Sequence, residues 1–149
     1  MSRLAKVGAA LLVLLALTPI TAAAQDTGGD ASRGTDTGFE LQQNYPNPFN
    51  PATRIPFSLG PSMFQDGDGV TVTMRIFNVL QQLVAYPTAL NHPLGNGVPV
   101  RELVYDRPGQ YEAFWDGRDT NGRQVASSIY ILQVIVDGQR KTMKMVVSK

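Results

Sequence analysis

The sequence predicts an all-β fold, an antiparallel sandwich of about seven short strands. Three observations predict it. From Phe39 onward, apolar and polar residues alternate with period two, the pattern of a strand with one buried face. Turn clusters of Gly, Pro, Asn and Asp recur about every 8–12 residues along that stretch. Finally, the 149 residues include 14 Gly and 10 Pro but no Cys. Such a chain makes many turns and holds together by its core, not by disulfides. Its apolar content of 43% is enough to build one.

The strands are preceded by two segments of other kinds. Arg3 and Lys6 lead into an apolar run from Val7 to Leu17, which Thr18-Pro19 breaks ahead of Ala22-Ala23-Ala24. This is the three-part pattern of a secretory signal peptide, residues 1–24, cleaved after Ala24. The run falls short of the ~20 apolar residues of a membrane span. No Cys follows to carry a lipid. Residues 25–38, QDTGGDASRGTDTG, hold one small apolar residue, Ala31, and no aromatic. They read as a flexible linker, and residues 39–149 as one folded domain.

Within the domain, Phe39 and Leu41 begin a short edge strand. YPNPFNP, residues 45–51, has three prolines, which remove backbone donors and fix φ. It reads as a rigid, extended or turning element outside any central strand. Thr53, Ile55, Phe57 and Leu59 alternate with polar positions, and Pro56 marks that strand as an edge or a bulge. Gly60-Pro61 ends it, and Asp66 to Gly69 is a turn. Val70, Val72, Met74 and Ile76 form the clearest half-buried strand. A turn over 78–82 leads to Leu83, Val84 and Tyr86, and residues 87–97 read as a long connection. Val98, Val100, Leu103 and Val104 suggest a further strand, and Tyr111, Ala113 and Trp115 another, with Trp115 as core anchor. Residues 116–122, DGRDTNG, form a polar loop. Ile129 to Val136 is apolar on both faces apart from Gln133, hence central. Asp137-Gly138 then predicts a two-residue hairpin into Lys141–Val147. Short strands at this spacing, without a disulfide, suggest an immunoglobulin-like sandwich.

The composition narrows the chemistry. Net charge is +1, and loss of Arg3 and Lys6 with the signal takes it to −1. No basic stripe is present, so no nucleic-acid partner is expected. Without Cys, thiolate and iron–sulfur chemistry is absent, and one His rules out a multi-His metal site. That residue, His92, reads as a solvated loop histidine. Glu40, Glu102 and Glu112 lie outside the turns, and nothing in their spacing pairs them for acid–base work. In DGRDTNG, Asp119, Asn121 and Gly122 fit part of a calcium loop. Gly117 stands where its first ligand belongs and no closing Glu follows, so a turn is expected. Tyr45, Phe49, Tyr86, Tyr105 and Phe114 are the aromatics that a sugar-binding face would draw on, with packing as the default. The expectation is therefore a non-enzymatic domain with no catalytic, metal or cofactor site, no small-molecule substrate and no cofactor.

Two segments carry a resemblance. LQQNYPNPFNPATRIPFSL, residues 41–59, resembles the opening of the type A C-terminal sorting domains of cargo for the type IX secretion system. WDGRDTNGRQVASSIYILQV, residues 115–134, with KMVVSK at 144–149, resembles their later part. It also resembles the immunoglobulin-like domain of the flagellar hook-capping protein. VTMRIFNVLQQLV, residues 72–84, matches the central strand and turn between them. The resemblance implies a sorting motif made of Tyr45, Pro46, Asn47, Pro48, Phe49, Asn50 and Pro51, of Trp115, Asp116 and Gly117, and of Lys144, Met145, Val146, Val147 and Lys149. It implies export through the periplasm and passage across the outer membrane to the cell surface or medium. The implied partners are the outer-membrane secretion machinery and a sortase-like peptidase.

The chain also departs from that family. Gln81 and Ser128 replace its usual glycines. The Cβ of Gln81 penalises positive φ, so a looser turn or one of another type is expected there. The connection from Tyr86 to Gly97 is longer than in compact members. Only the linker separates signal from domain, which leaves a stand-alone domain or a fragment of a larger cargo. A stand-alone structural or adhesive surface module is the alternative function. For the sorting role, the terminal strand, Lys141–Val147, is expected to present an edge, or the Lys149 carboxylate, to a receptor.

Overall fold

The computed structural model describes residues 38–149. The signal-peptide and linker readings lie outside the described residues, Gly38 apart. Among the described residues, nine strands form: β1 (Phe39–Leu41), β2 (Thr53–Leu59), β3 (Val70–Phe77), β4 (Leu83–Ala85), β5 (Thr88–Leu90), β6 (Leu103–Tyr105), β7 (Gly109–Trp115), β8 (Ser128–Val136) and β9 (Gln139–Val147). One turn of 3-10 helix, Pro61–Phe64, follows β2. One sheet has the order β1-β2-β7-β5; the other has β4-β3-β8-β9, with β6 also on β3. All these pairings are antiparallel. The all-β sandwich is therefore as expected.

Alternation sets which side chains enter the core. Ile55, Phe57 and Leu59 of β2 face Val72, Met74 and Ile76 of β3 and Leu132, Val134 and Val136 of β8, and all are buried. The Asp137-Gly138 hairpin forms as read, with both residues at positive φ and Val136 opposite Gln139. That conformation matches the strand twist, which is why an Asp-Gly pair suits it.

Some expectations are corrected. The described residues form nine strands where about seven are expected. Thr88–Leu90 is a strand inside the stretch read as a connection; three residues beside Pro87 are too few to show a period. Val98 and Val100 belong to no strand and instead link the sheets. Val98 O accepts from Ala89 of β5, and Val100 O accepts from Met74 of β3. β2 is an inner strand of its sheet, not an edge. Pro56 is tolerated because its O accepts from Gln42 N at 3.0 Å, which places its nitrogen on the β1 side. β1 ends at Leu41 opposite Phe57, so the missing N–H forgoes one bond, the reciprocal one to Gln42 O, at the last rung of the pair.

His92 is buried, at 6% exposure, not solvated. Its Nε2 donates to Val104 O at 2.9 Å, and Nδ1 accepts from Leu94 N at 3.1 Å. With both nitrogens satisfied, its ring packs edge-on to Tyr105, 4.8 Å between centroids. Gln81 does adopt positive φ, 61°. The turn keeps that shape because Asn78 Oδ1 accepts from both Leu80 N and Gln82 N at 3.0 Å.

Candidate functional site

The three segments that resemble a sorting motif meet at one end of the sandwich. Residues 45–51 leave β1 and change sheets there. Tyr45 bridges to Arg54 in antiparallel fashion, while Phe49 bridges to Val147 in parallel. Phe49 N donates to Val146 O at 2.9 Å, and Ser148 N donates to Phe49 O at 3.0 Å. Asn47 Oδ1 accepts from Val146 N at 3.0 Å. The short segment thus takes the outer edge of β9 over its last residues. The Tyr45–Pro46, Asn47–Pro48 and Asn50–Pro51 peptide bonds are cis.

The anchor is Phe49, 1% exposed. Its ring meets Trp115 edge-on at 5.3 Å, and Trp115 meets Tyr130 at 5.4 Å. Edge-to-face pairs at these distances add about 0.5–1.5 kcal/mol beyond burial. Trp115 Nε1 donates to Arg118 O at 2.9 Å, which fixes the loop that follows. Gly117 is required by two constraints. Its φ is +73°, and a Cβ there would lie 2.2 Å from Pro51 O. Proline 51 and glycine 117 are therefore in backbone contact, which accounts for a Gly after Trp115-Asp116.

Phe49, Trp115, Gly117, Met145 and Val147 are buried anchors. Tyr45, Pro46, Asn47, Pro48, Asn50, Pro51, Asp116 and Lys149 are exposed. Val146 is half-buried and joins through its backbone. Lys149 N donates to Ser127 Oγ at 3.1 Å. Lys144 is not part of the cluster; its side chain lies on the outer face of β9. The expectation of an open terminal edge is corrected over its last residues, because Asn47 and Phe49 already occupy that part.

Sequence reasoning missed Asn44 and Thr53. Asn44 is 1% exposed, and its Nδ2 donates to Thr53 Oγ1 at 2.9 Å and Pro46 O at 3.2 Å. A polar pair buried at a sheet switch stabilises backbone groups that lack ladder partners. A lone Asn before Tyr-Pro gives no local signal of that role.

Glu112, Asp116 and Asp119, beside the cluster, serve local structure. Glu112 accepts from Tyr45 Oη at 2.6 Å and pairs with Arg54 at 3.0 Å. That hydrogen bond holds the Tyr45 phenol above its ordinary range. Asp116 Oδ1 accepts from Arg118 N at 3.0 Å. Asp119 Oδ1 accepts from Asn121 N and Arg123 N, both at 2.9 Å. The Arg123 amide first, against desolvation, holds the Asp119 carboxyl below the usual range. Both carboxylates thus turn into their own loop. Among the described residues, no group of three His, Asp or Glu side chains is placed to hold a metal. Of the five aromatics weighed for a sugar face, Phe49 and Tyr105 are buried. Phe114 and Tyr86 line a hollow of about 520 Å³ with Arg101 and Arg118.

No family model matches the chain, and no curated protein does. Two solved structures are similar to it. One is PorZ, a bacterial surface component of the type IX secretion system of Porphyromonas gingivalis. It is 17% identical over 73% of this chain and 11% of that one, with a TM-score of 0.43. The other is dimeric latent PorU from the same organism, 18% identical over 73% of this chain and 9% of that one, with a TM-score of 0.46. The chain matches about a tenth of the length of either protein.

Proposed function

We propose that residues 39–149 act as a non-enzymatic sorting domain, directing passage across the outer membrane through a type IX-like system to the cell surface or medium. One observation carries the reading. The three segments that resemble such domains, far apart in sequence, come together around Phe49. A folded address needs its recognition residues on one rigid surface. Here buried anchors fix the backbone while the exposed Pro48 and Asn50 remain open to a receptor. A sortase-like peptidase acting after export belongs to the same proposal.

The test is a fusion of residues 25–149 to the C-terminus of an exported fluorescent reporter, in a host with this system. Reporter at the surface or in the medium, dependent on the machinery, supports the proposal. Loss of export with Pro48→Ala and Asn50→Ala, at unchanged thermal midpoint, assigns the address to the exposed part. Folded reporter held in the periplasm overturns it. The stand-alone adhesive module then leads, a reading that Val79 and Leu80 favour, being 63% and 73% exposed at the turn pinned by Asn78.

A further inference from the structure

Among the described residues, strand β9 has a second stretch of edge with no partner. In the β8–β9 ladder Val146 turns its N–H and C=O outward, toward Asn47 and Phe49. Alternate residues of a strand do the same, so Arg140, Thr142 and Lys144 also turn theirs outward. Among the described residues, no hydrogen bond reaches these groups. The chain supplies its own precedent for filling such an edge, since Phe49 adds to it two residues further on. A segment placed beside residues 140–144 would continue the line that Phe49 begins.

The side chains there select the occupant. Those of Arg140, Thr142 and Lys144 lie on the outer face of the sheet, and all three residues are exposed. The ion pairs among the described residues are Arg54–Glu112, Arg107–Asp106 and Arg123–Asp119, so neither Arg140 nor Lys144 is paired. The outward residues of the adjoining strands β8 and β3 are Ile129, Ile131, Gln133 and Ile135, then Thr71, Thr73, Arg75 and Phe77. None of these outward side chains is a carboxylate; the acidic residues bound nearest are Asp137, whose Oδ1 accepts from Thr71 N at 3.0 Å, and Glu102, whose N donates to Thr73 Oγ1 at 3.0 Å. Lys141 points the other way, its Nζ donating to Phe39 O and lying 4.7 Å from the Phe39 ring centroid. It closes the gap to β1.

A second copy of this chain fits poorly. Antiparallel pairing of two β9 edges about Thr142 sets Arg140 opposite Lys144 of the other copy, twice over. Like charges directly opposite destabilise a pair of strands. We infer that the Arg140–Lys144 edge of β9 takes an extended partner segment with acidic side chains at alternate positions. Its backbone completes the ladder, and its carboxylates lie against Arg140 and Lys144. Main-chain bonds supply the binding and the charges choose the partner. This inference rests on the fold and not on the sorting reading, so a reporter that stays in the periplasm leaves it unaffected.

The experiment titrates the purified full chain with a synthetic peptide alternating valine with threonine or glutamate. The control peptide carries lysine for glutamate. Hydrogen exchange read by NMR follows the amides. The glutamate peptide is expected to bind and to slow exchange at Arg140, Thr142 and Lys144. Met143 and Met145, bonded to β8, are expected to stay slow throughout. In the double variant Arg140→Glu, Lys144→Glu, unchanged in thermal midpoint, glutamate-peptide affinity is expected to fall about tenfold and the lysine peptide to gain. Absence of binding, binding without protection of those three amides, equal binding of both peptides, or self-association through β9 each overturns the inference.

Discussion

Gly117 and Gly122 lie in one loop with nearly the same backbone, φ +73° and +75°, but in different surroundings. A Cβ at Gly117 would lie 2.2 Å from Pro51 O and 3.0 Å from Gln124 Nε2, whereas one at Gly122 meets nothing within 4 Å. Both alanine variants carry the left-handed backbone cost, about 1–2 kcal/mol. Gly117→Ala carries a second cost. Its methyl falls roughly 1 Å short of even a close C–H···O contact of ~3.3 Å. Pro51 must retreat, taking with it the segment that anchors Phe49. Overpacking of this kind costs about 1–3 kcal/mol. The matched pair cancels the backbone term, so Gly117→Ala is expected to be less stable than Gly122→Ala by about 2 kcal/mol. With a urea m-value of about 1–3 kcal/mol/M, the unfolding midpoints separate by about 1 M. Exchange at the Phe49 and Ser148 amides is expected to speed up in Gly117→Ala alone. Coincident midpoints would refute the reasoning, because the contact between Gly117 and Pro51 would then hold nothing in place.

Further outcomes follow from the same packing. Phe49→Ala removes a buried aromatic in contact with Trp115, so urea unfolding is expected to show a loss of about 3–5 kcal/mol, and a loss under 1 kcal/mol would contradict the anchor role. Gln81→Gly relieves a side chain held at φ 61° in a turn that Asn78 already pins; a gain of about 1 kcal/mol is expected in thermal unfolding, and a loss would count against it. Tyr105 is 1% exposed, and its hydroxyl has no partner among the described residues. Tyr105→Phe is expected to be neutral or stabilising by up to about 1 kcal/mol at pH 7, unlike the usual core truncation. Burial first, then Tyr111, pushes the Tyr105 phenol above its ordinary range. Its neutral form is the one the fold favours, so that stability is complete below the unfolded value near pH ~10 and is lost as pH rises beyond it. Tyr105→Phe is expected to flatten this alkaline limb, measured as stability against pH from 9 to 11.

Local chemistry made much of this fold readable from the sequence. Period-two alternation assigns Ile55, Phe57, Leu59, Val72, Met74 and Ile76 to the core, because successive strand residues face opposite ways. Asp137-Gly138 specifies its own hairpin, because both residues accept the positive φ that a two-residue turn needs. These signals reside in neighbouring residues and need no partner to be legible. Other features were decided by tertiary structure. The switch of residues 45–51 between sheets depends on β9, about a hundred residues away, so three prolines announced rigidity but not destination. The steric demand for glycine at 117 comes from Pro51, in another part of the chain. His92 looked solvated because it sits in a loop, yet Val104 and Leu94 satisfy both its nitrogens and Tyr105 covers its ring. The edge of β9 divides into a filled part and an open part for the same reason. Whether a backbone group is paired is set by what folds against it, and no local pattern records that.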